Sequence, residues 1–164
     1  MKRLTISARA CTEILALLVK MAWADGRLEE REKASVRSAA TIFNLSKELR
    51  ERLDKILESP IPLDQILIET LGAKERAFAF VAAAWLSGVD ENVDPKEELL
   101  LDEIATVLHI EPDRRAELEA LARDFLREHA SGAGATSWAD QLGTLFRAIP
   151  RRLEGDEAME IEFE

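Results

Sequence analysis

The chain has 164 residues, with 32 acidic against 22 basic side chains and a formal charge of −10. At 47% apolar and 33% charged it is too hydrophobic for disorder and too charged for a membrane-embedded chain, and its length suits one domain of ordinary size. Its seven glycines and five prolines are too few for a loop-rich β protein, and tyrosine is absent. Ala, Leu, Glu and Arg dominate, the residues that lose least on entering a helix, so the expected class is all-α.

Residues 7–24 form the first predicted helix, with Cys11, Ile14, Leu17, Leu18 and Met21 on one face, and Asp25-Gly26 ends it. The second runs over about 29–43. Asn44-Leu45-Ser46 then makes a turn whose Ser46 caps the third helix. That helix stops before Ser59-Pro60-Ile61-Pro62, and a short fourth helix reaches about Leu71-Gly72. The fifth, about 73–87, is apolar all round and is expected at the centre of the core. Asp94-Pro95 opens the sixth and Glu111-Pro112 the seventh, which ends near residue 129. Residues 1–130 are thus a helical domain of about seven helices. A flexible linker (131–137), a short amphipathic helix (138–150) stopped by Pro150, and an acidic tail (151–164) follow.

The lone cysteine, Cys11, makes no intramolecular disulfide and reads as a small buried hydrophobe. The basic start Met1-Lys2-Arg3 is followed by an apolar stretch that Glu13 interrupts, and no small-residue cleavage pattern follows. The longest apolar run, residues 77–86, is about half the ~20 residues that cross a bilayer. A cytoplasmic protein without direct membrane insertion is expected. The acidic balance argues against nucleic acid as a partner.

Sliding the chain by 65 residues aligns 14–57 with 79–122 without a gap. Identical pairs are Asp25/Asp90, Glu32/Glu97, Ala40/Ala105, Thr41/Thr106, Arg50/Arg115 and Leu53/Leu118, and the apolar positions correspond as well. The expected architecture is therefore two related three-helix units. Each copy carries Asp-x-x-aliphatic-acid-x-x-Glu: Asp25, Leu28, Glu29 and Glu32, then Asp90, Val93, Asp94 and Glu97.

This pattern resembles the tellurite-resistance TerB family, seen also in the N-terminal part of the DjlA co-chaperones. The first motif is Ala24-Asp25-Gly26-Arg27-Leu28-Glu29-Glu30-Arg31-Glu32. The second is Val89-Asp90-Glu91-Asn92-Val93-Asp94-Pro95-Lys96-Glu97, with Glu91 where the family usually has glycine. Covering about residues 8–128, the resemblance implies an all-helical domain working in bacterial stress or surface-associated complexes. It also implies acidic clusters that hold a divalent metal, and it brings no established catalytic activity.

Two readings of the acids stand side by side. As metal ligands, Asp25, Glu29, Glu32, Asp90, Asp94 and Glu97 offer the oxygen donors that Ca²⁺ or Mg²⁺ prefers. As helix caps, they satisfy first-turn N–H groups and the helix dipole. No organic cofactor is implied, because phosphate loops, nucleophile elbows and Cys/His pairs are missing from the sequence. Neither His109 nor His129 has the glutamate three residues earlier that a di-iron bundle needs, and His109 reads as a turn residue.

Beyond the linker, the apolar face of Trp138, Leu142, Leu145, Phe146 and Ile149 either folds back or binds a partner. Met159, Ile161 and Phe163 alternate with acids at the strand period, as a solvated tail or a strand added to a partner's sheet edge. The expected function is a non-enzymatic, TerB-like adaptor or sensor that binds protein partners, membrane-associated complexes included, under divalent-metal control. A metal-dependent hydrolase using the clustered carboxylates is the alternative.

Overall fold

A computed structural model describes residues 3–24, 28–59, 61–87, 95–129 and 141–164, the side chains of 126–129 excepted. Helix α4 (Ala73–Ser87) is buried on every face from Ala77 to Trp85. A helix without a polar face must be covered on every side. Four elements cover this one: α1 (Ala8–Trp23), α5 (Pro95–Val107), α6 (Pro112–His129) and α7 (Leu142–Glu154). Helices α2 (Glu30–Ala40) and α3 (Lys47–Glu58) complete an all-α fold, α3 packing on α1 and α2 touching α7.

Local signals explain most boundaries. Ser7 caps α1, its Oγ accepting from the Ala10 N–H at 3.0 Å, and Ser46 caps α3 through the Leu49 N–H at 3.2 Å. Helix α2 tightens into a 3₁₀ turn (Thr41–Phe43) and ends on Asn44 at φ 53°. The α5–α6 turn ends on His109 at φ 58°. Asn44 and His109 are 65 residues apart, as are the starts of α1 and α4, of α2 and α5, and of α3 and α6.

Three expectations need correction. Residues 61–71 form two 3₁₀ turns, Leu63–Gln65 and Ile68–Thr70, rather than a helix, because their backbone bonds close i→i+3, with one i→i+2 bond from Ile68 to Ile66 between the turns. Pro150 does not stop α7. The helix runs four residues further to Gly155 at φ 67°, where the Gly155 and Asp156 N–H groups close on the carbonyls of Arg152 and Arg151. Ile149 and Pro150 are buried, and that packing outweighs the lost hydrogen bond.

The third correction concerns both ends of the chain. Strand β2 (Glu160–Phe163) lies within the expected acidic tail and pairs in parallel with β1 (Arg3–Ile6), Arg3 opposite Glu160 and Ile6 opposite Phe163. The tail's apolar face belongs to the chain's own core, with Met159 buried and Phe163 edge-on to Phe43 at 4.9 Å. On the other face, Arg3 pairs with Glu160 and Glu162, each at 3.3 Å. The expected linker, 131–137, lies outside the described residues.

Glu13 sits at 0% exposure in the middle of α1. Its carboxylate accepts from Arg52 Nε at 2.8 Å, Arg52 Nη2 at 2.7 Å and the Leu67 N–H at 2.8 Å. Arg52 Nη2 also donates to the Gln65 carbonyl at 3.0 Å. One buried acid thereby ties α1, α3 and the 3₁₀ connector together, and that hydrogen bond to Glu13 raises the Arg52 pKa. Arg52→Ala leaves Glu13 buried without its cation. Because Arg52 is 30% exposed, the expected cost lies at the low end for buried pairs, about 3 kcal/mol in urea unfolding. Adding Glu13→Leu to that variant is expected to recover part of the loss.

Candidate functional site

In the first of the two acidic motifs the described acids cap the helix that follows. Glu29 is the N-cap of α2, and the Glu32 carboxylate accepts from its N–H at 3.3 Å in a reciprocal capping box. Leu28 is buried in the core. Glu97 occupies the third position of α5 and is half-buried. Asp25, Asp90 and Asp94 lie outside the described residues. Among the described residues no group of three or more His, Cys, Asp or Glu side chains is gathered around a common point.

The side chains expected to meet a partner are placed differently. Leu142, Leu145 and Phe146 are within 1% of complete burial, and Met159 is 3% exposed. Phe146 packs between Phe43 at 4.7 Å and Phe78 at 4.9 Å, while Ile161 and Phe163 are half-buried against the same core. Within one chain these groups are covered by the chain itself, the fold-back arrangement of the two expected. Trp138 lies outside the described residues. Cys11 is fully buried as expected, and desolvation, helped by the Glu75 charge, raises its pKa. The resulting scarcity of thiolate makes it a packing residue.

What the sequence did not point to is a cleft of about 590 Å³ where four elements meet. Its walls are β1 from Leu4 to Ile6, the start of α4, the turn from Leu108 to Glu111 with the first turns of α6, and Pro150, Leu153 and Glu154 of α7. The floor is apolar, formed by Leu4, Ile6, Phe78, Leu108 and Leu118. The rim is charged. Lys74 of α4 reaches Glu154 of α7 at 3.2 Å, Arg114 pairs with Glu117 at 3.0 Å, and Arg76 Nε donates to the Leu71 carbonyl at 2.9 Å. A volume of this size with an apolar floor and a few polar groups suits a ligand or a short peptide segment.

One wall is a strand edge. The Ile6 carbonyl accepts from the Glu164 N–H at 3.0 Å, and the Ala8 N–H donates to the Glu164 carbonyl. Backbone groups alternate in direction along a strand, so Leu4 and Ile6 face β2 while the N–H and C=O of Thr5 face the opposite edge, which no strand among the described residues pairs. Among the described residues the sheet has only these two strands. Thr5 lines the cleft.

The opposite wall owes its shape to His109. In the left-handed region, it lets the His109 N–H reach the Thr106 carbonyl at 3.1 Å and the Ile110 N–H reach the Ala105 carbonyl at 3.0 Å, the paired bonds of a Schellman ending. A side chain at positive φ costs about 1 kcal/mol that glycine avoids. His109→Gly is therefore expected to raise the melting temperature by about 2–4 °C in a thermal scan.

Among the described residues no helix is long and apolar enough to cross a membrane. Neither a curated protein nor a solved structure matches the chain. A family model does match, over residues 5–122, and its description is a protein of unknown function with no enzymatic activity named. The chain belongs to that family, DUF533.

Proposed function

We propose that the protein is a non-enzymatic binding module of the TerB-like type, acting as an adaptor or sensor in a bacterial stress response of the tellurite-resistance kind. It works by taking an extended segment of a partner protein into the cleft between β1, α4, the α5–α6 turn and α7. The observation that carries this reading is the edge of β1 that no strand among the described residues pairs, set along an apolar-floored cleft of about 590 Å³. Strand addition uses such an edge for affinity, and adjoining apolar pockets select alternate side chains. Membership of the matched family and the repeated acidic motif support the TerB-like assignment. A cytoplasmic place of action, with membrane-associated complexes among the partners, belongs to the same proposal.

Thr5→Pro tests it. Proline removes an N–H that points away from β2, so the β1–β2 ladder keeps its hydrogen bonds while the open edge loses a donor. Peptides selected from a random display library on the wild-type protein are expected to alternate apolar and polar residues and to bind Thr5→Pro at least tenfold more weakly. Equal binding to both proteins places the interaction elsewhere.

The proposal also includes modulation by a divalent cation at the acidic loops after α1 and α4. Calorimetry with Ca²⁺ and Mg²⁺ is expected to show binding that a variant carrying Asp25→Ala and Asp90→Ala loses. Heats that are identical for the two proteins remove the metal from the proposal.

A further inference from the structure

The family match ends at residue 122, within α6, whereas α7 and β2 lie wholly beyond it. These two elements bind the preceding helices in two ways that proteins use to bind one another. Helix α7 lays Leu142, Leu145, Phe146 and Ile149 into the core at i, i+3, i+4 and i+7, with Phe146 held between the rings of Phe43 and Phe78. Strand β2 adds to the edge of β1. Charge complements both contacts: Glu160 and Glu162 meet Arg3, and Glu154 meets Lys74. The seat therefore accepts an amphipathic helix followed by an acid-bearing strand.

We infer that this seat is a docking site and that α7–β2 is its tethered ligand, so that the same segment of a second copy can occupy it by reciprocal exchange. The occupant is identified by the complementarity already visible within one chain: a second copy carries the same helix face, the same strand and the same acids. Residues 130–140 join the segment to α6, and their sequence is rich in Ala, Gly and Ser. Exchange of an identical element needs no new contact, because every bond of the closed chain is remade between copies. A tethered segment experiences an effective concentration of about 1 mM, so exchange competes as the chain concentration approaches that level. This inference concerns the seat beneath α7 and the edge of β1 that β2 occupies, whereas the strand-edge reading concerns the opposite edge of β1.

The test uses the full chain carrying Phe146→Asp, whose own segment cannot seat, and a labelled peptide of residues 141–164. The peptide is expected to bind this variant at least tenfold more tightly than the wild-type chain, whose seat is filled. A peptide that itself carries Phe146→Asp is expected not to bind. Should Phe146→Asp leave the chain partly unfolded, the wild-type peptide is expected to restore helical circular dichroism saturably. Wild-type protein refolded at about 1 mM is expected to contain a dimer by light scattering that reverts to monomer when refolded dilute. Equal peptide affinity for the two chains overturns the inference. Absence of both binding and regained helix does so too, as does a concentrated refold that stays wholly monomeric.

Discussion

The need to cover α4 on all sides organises the molecule. From Ala77 to Trp85 this helix has no face that water can occupy. In a helix with a polar face, three neighbours suffice and solvent takes the rest. Here α1, α5 and α6 cover part of the surface, and the Phe78 side is closed by Phe146 from α7. Small alanines at positions 79, 82, 83 and 84 let the covering helices approach closely, while Phe78, Phe80 and Trp85 fill the spaces between them. The C-terminal helix is thus a structural requirement of a helix that begins about seventy residues earlier, and its own amphipathic pattern is the complement of that requirement.

The sequence showed the helices because periodicity, caps and prolines are local. Ser7, Ser46, Asn44 and Pro112 each act on the turn in which they stand, and each boundary they imply lies within a few residues of the observed one. The all-round apolar composition of 73–87 likewise needs no partner to be recognised. Pro150 misled because its local cost is real, whereas the packing of Ile149 and Leu153 that offsets it comes from elements distant in the chain. The strands were harder still. The alternation at 159–164 gave the period of a strand, but nothing in it names Arg3–Ile6 at the opposite end as the partner.

Glu13 shows the same division within one residue. Its charge interrupts an apolar stretch of the sequence, and a buried carboxylate must find a cation and hydrogen bonds. That much follows from the sequence. The choice of Arg52, rather than Arg50 or Lys55 on the same helix, depends on which face α3 turns toward α1. The cleft was illegible for a related reason. None of its lining residues forms a motif, and their proximity arises only when β1, α4, the α5–α6 turn and α7 are assembled. By contrast, the acidic motif that stood out in the sequence places Glu29 and Glu32 in a capping box, a role that local geometry imposes before any ligand is considered.

The cleft and the C-terminal segment are energetically linked. Pro150, Leu153 and Glu154 form one wall, and Ile6, which bonds to β2, helps form the floor. Unseating α7 removes the wall and frees Lys74 from Glu154. A ligand touching both α7 and α4 therefore binds the seated state alone and stabilises it by RT ln(1 + [L]/Kd). By reciprocity, any change that loosens α7 weakens that ligand by the same free energy. A segment from a second copy rebuilds the wall from the partner's atoms, so the cleft persists through exchange but becomes shared between chains. Binding at the cleft and seating of the C-terminal segment are then two readings of one equilibrium, whose end points differ in where Leu153 lies.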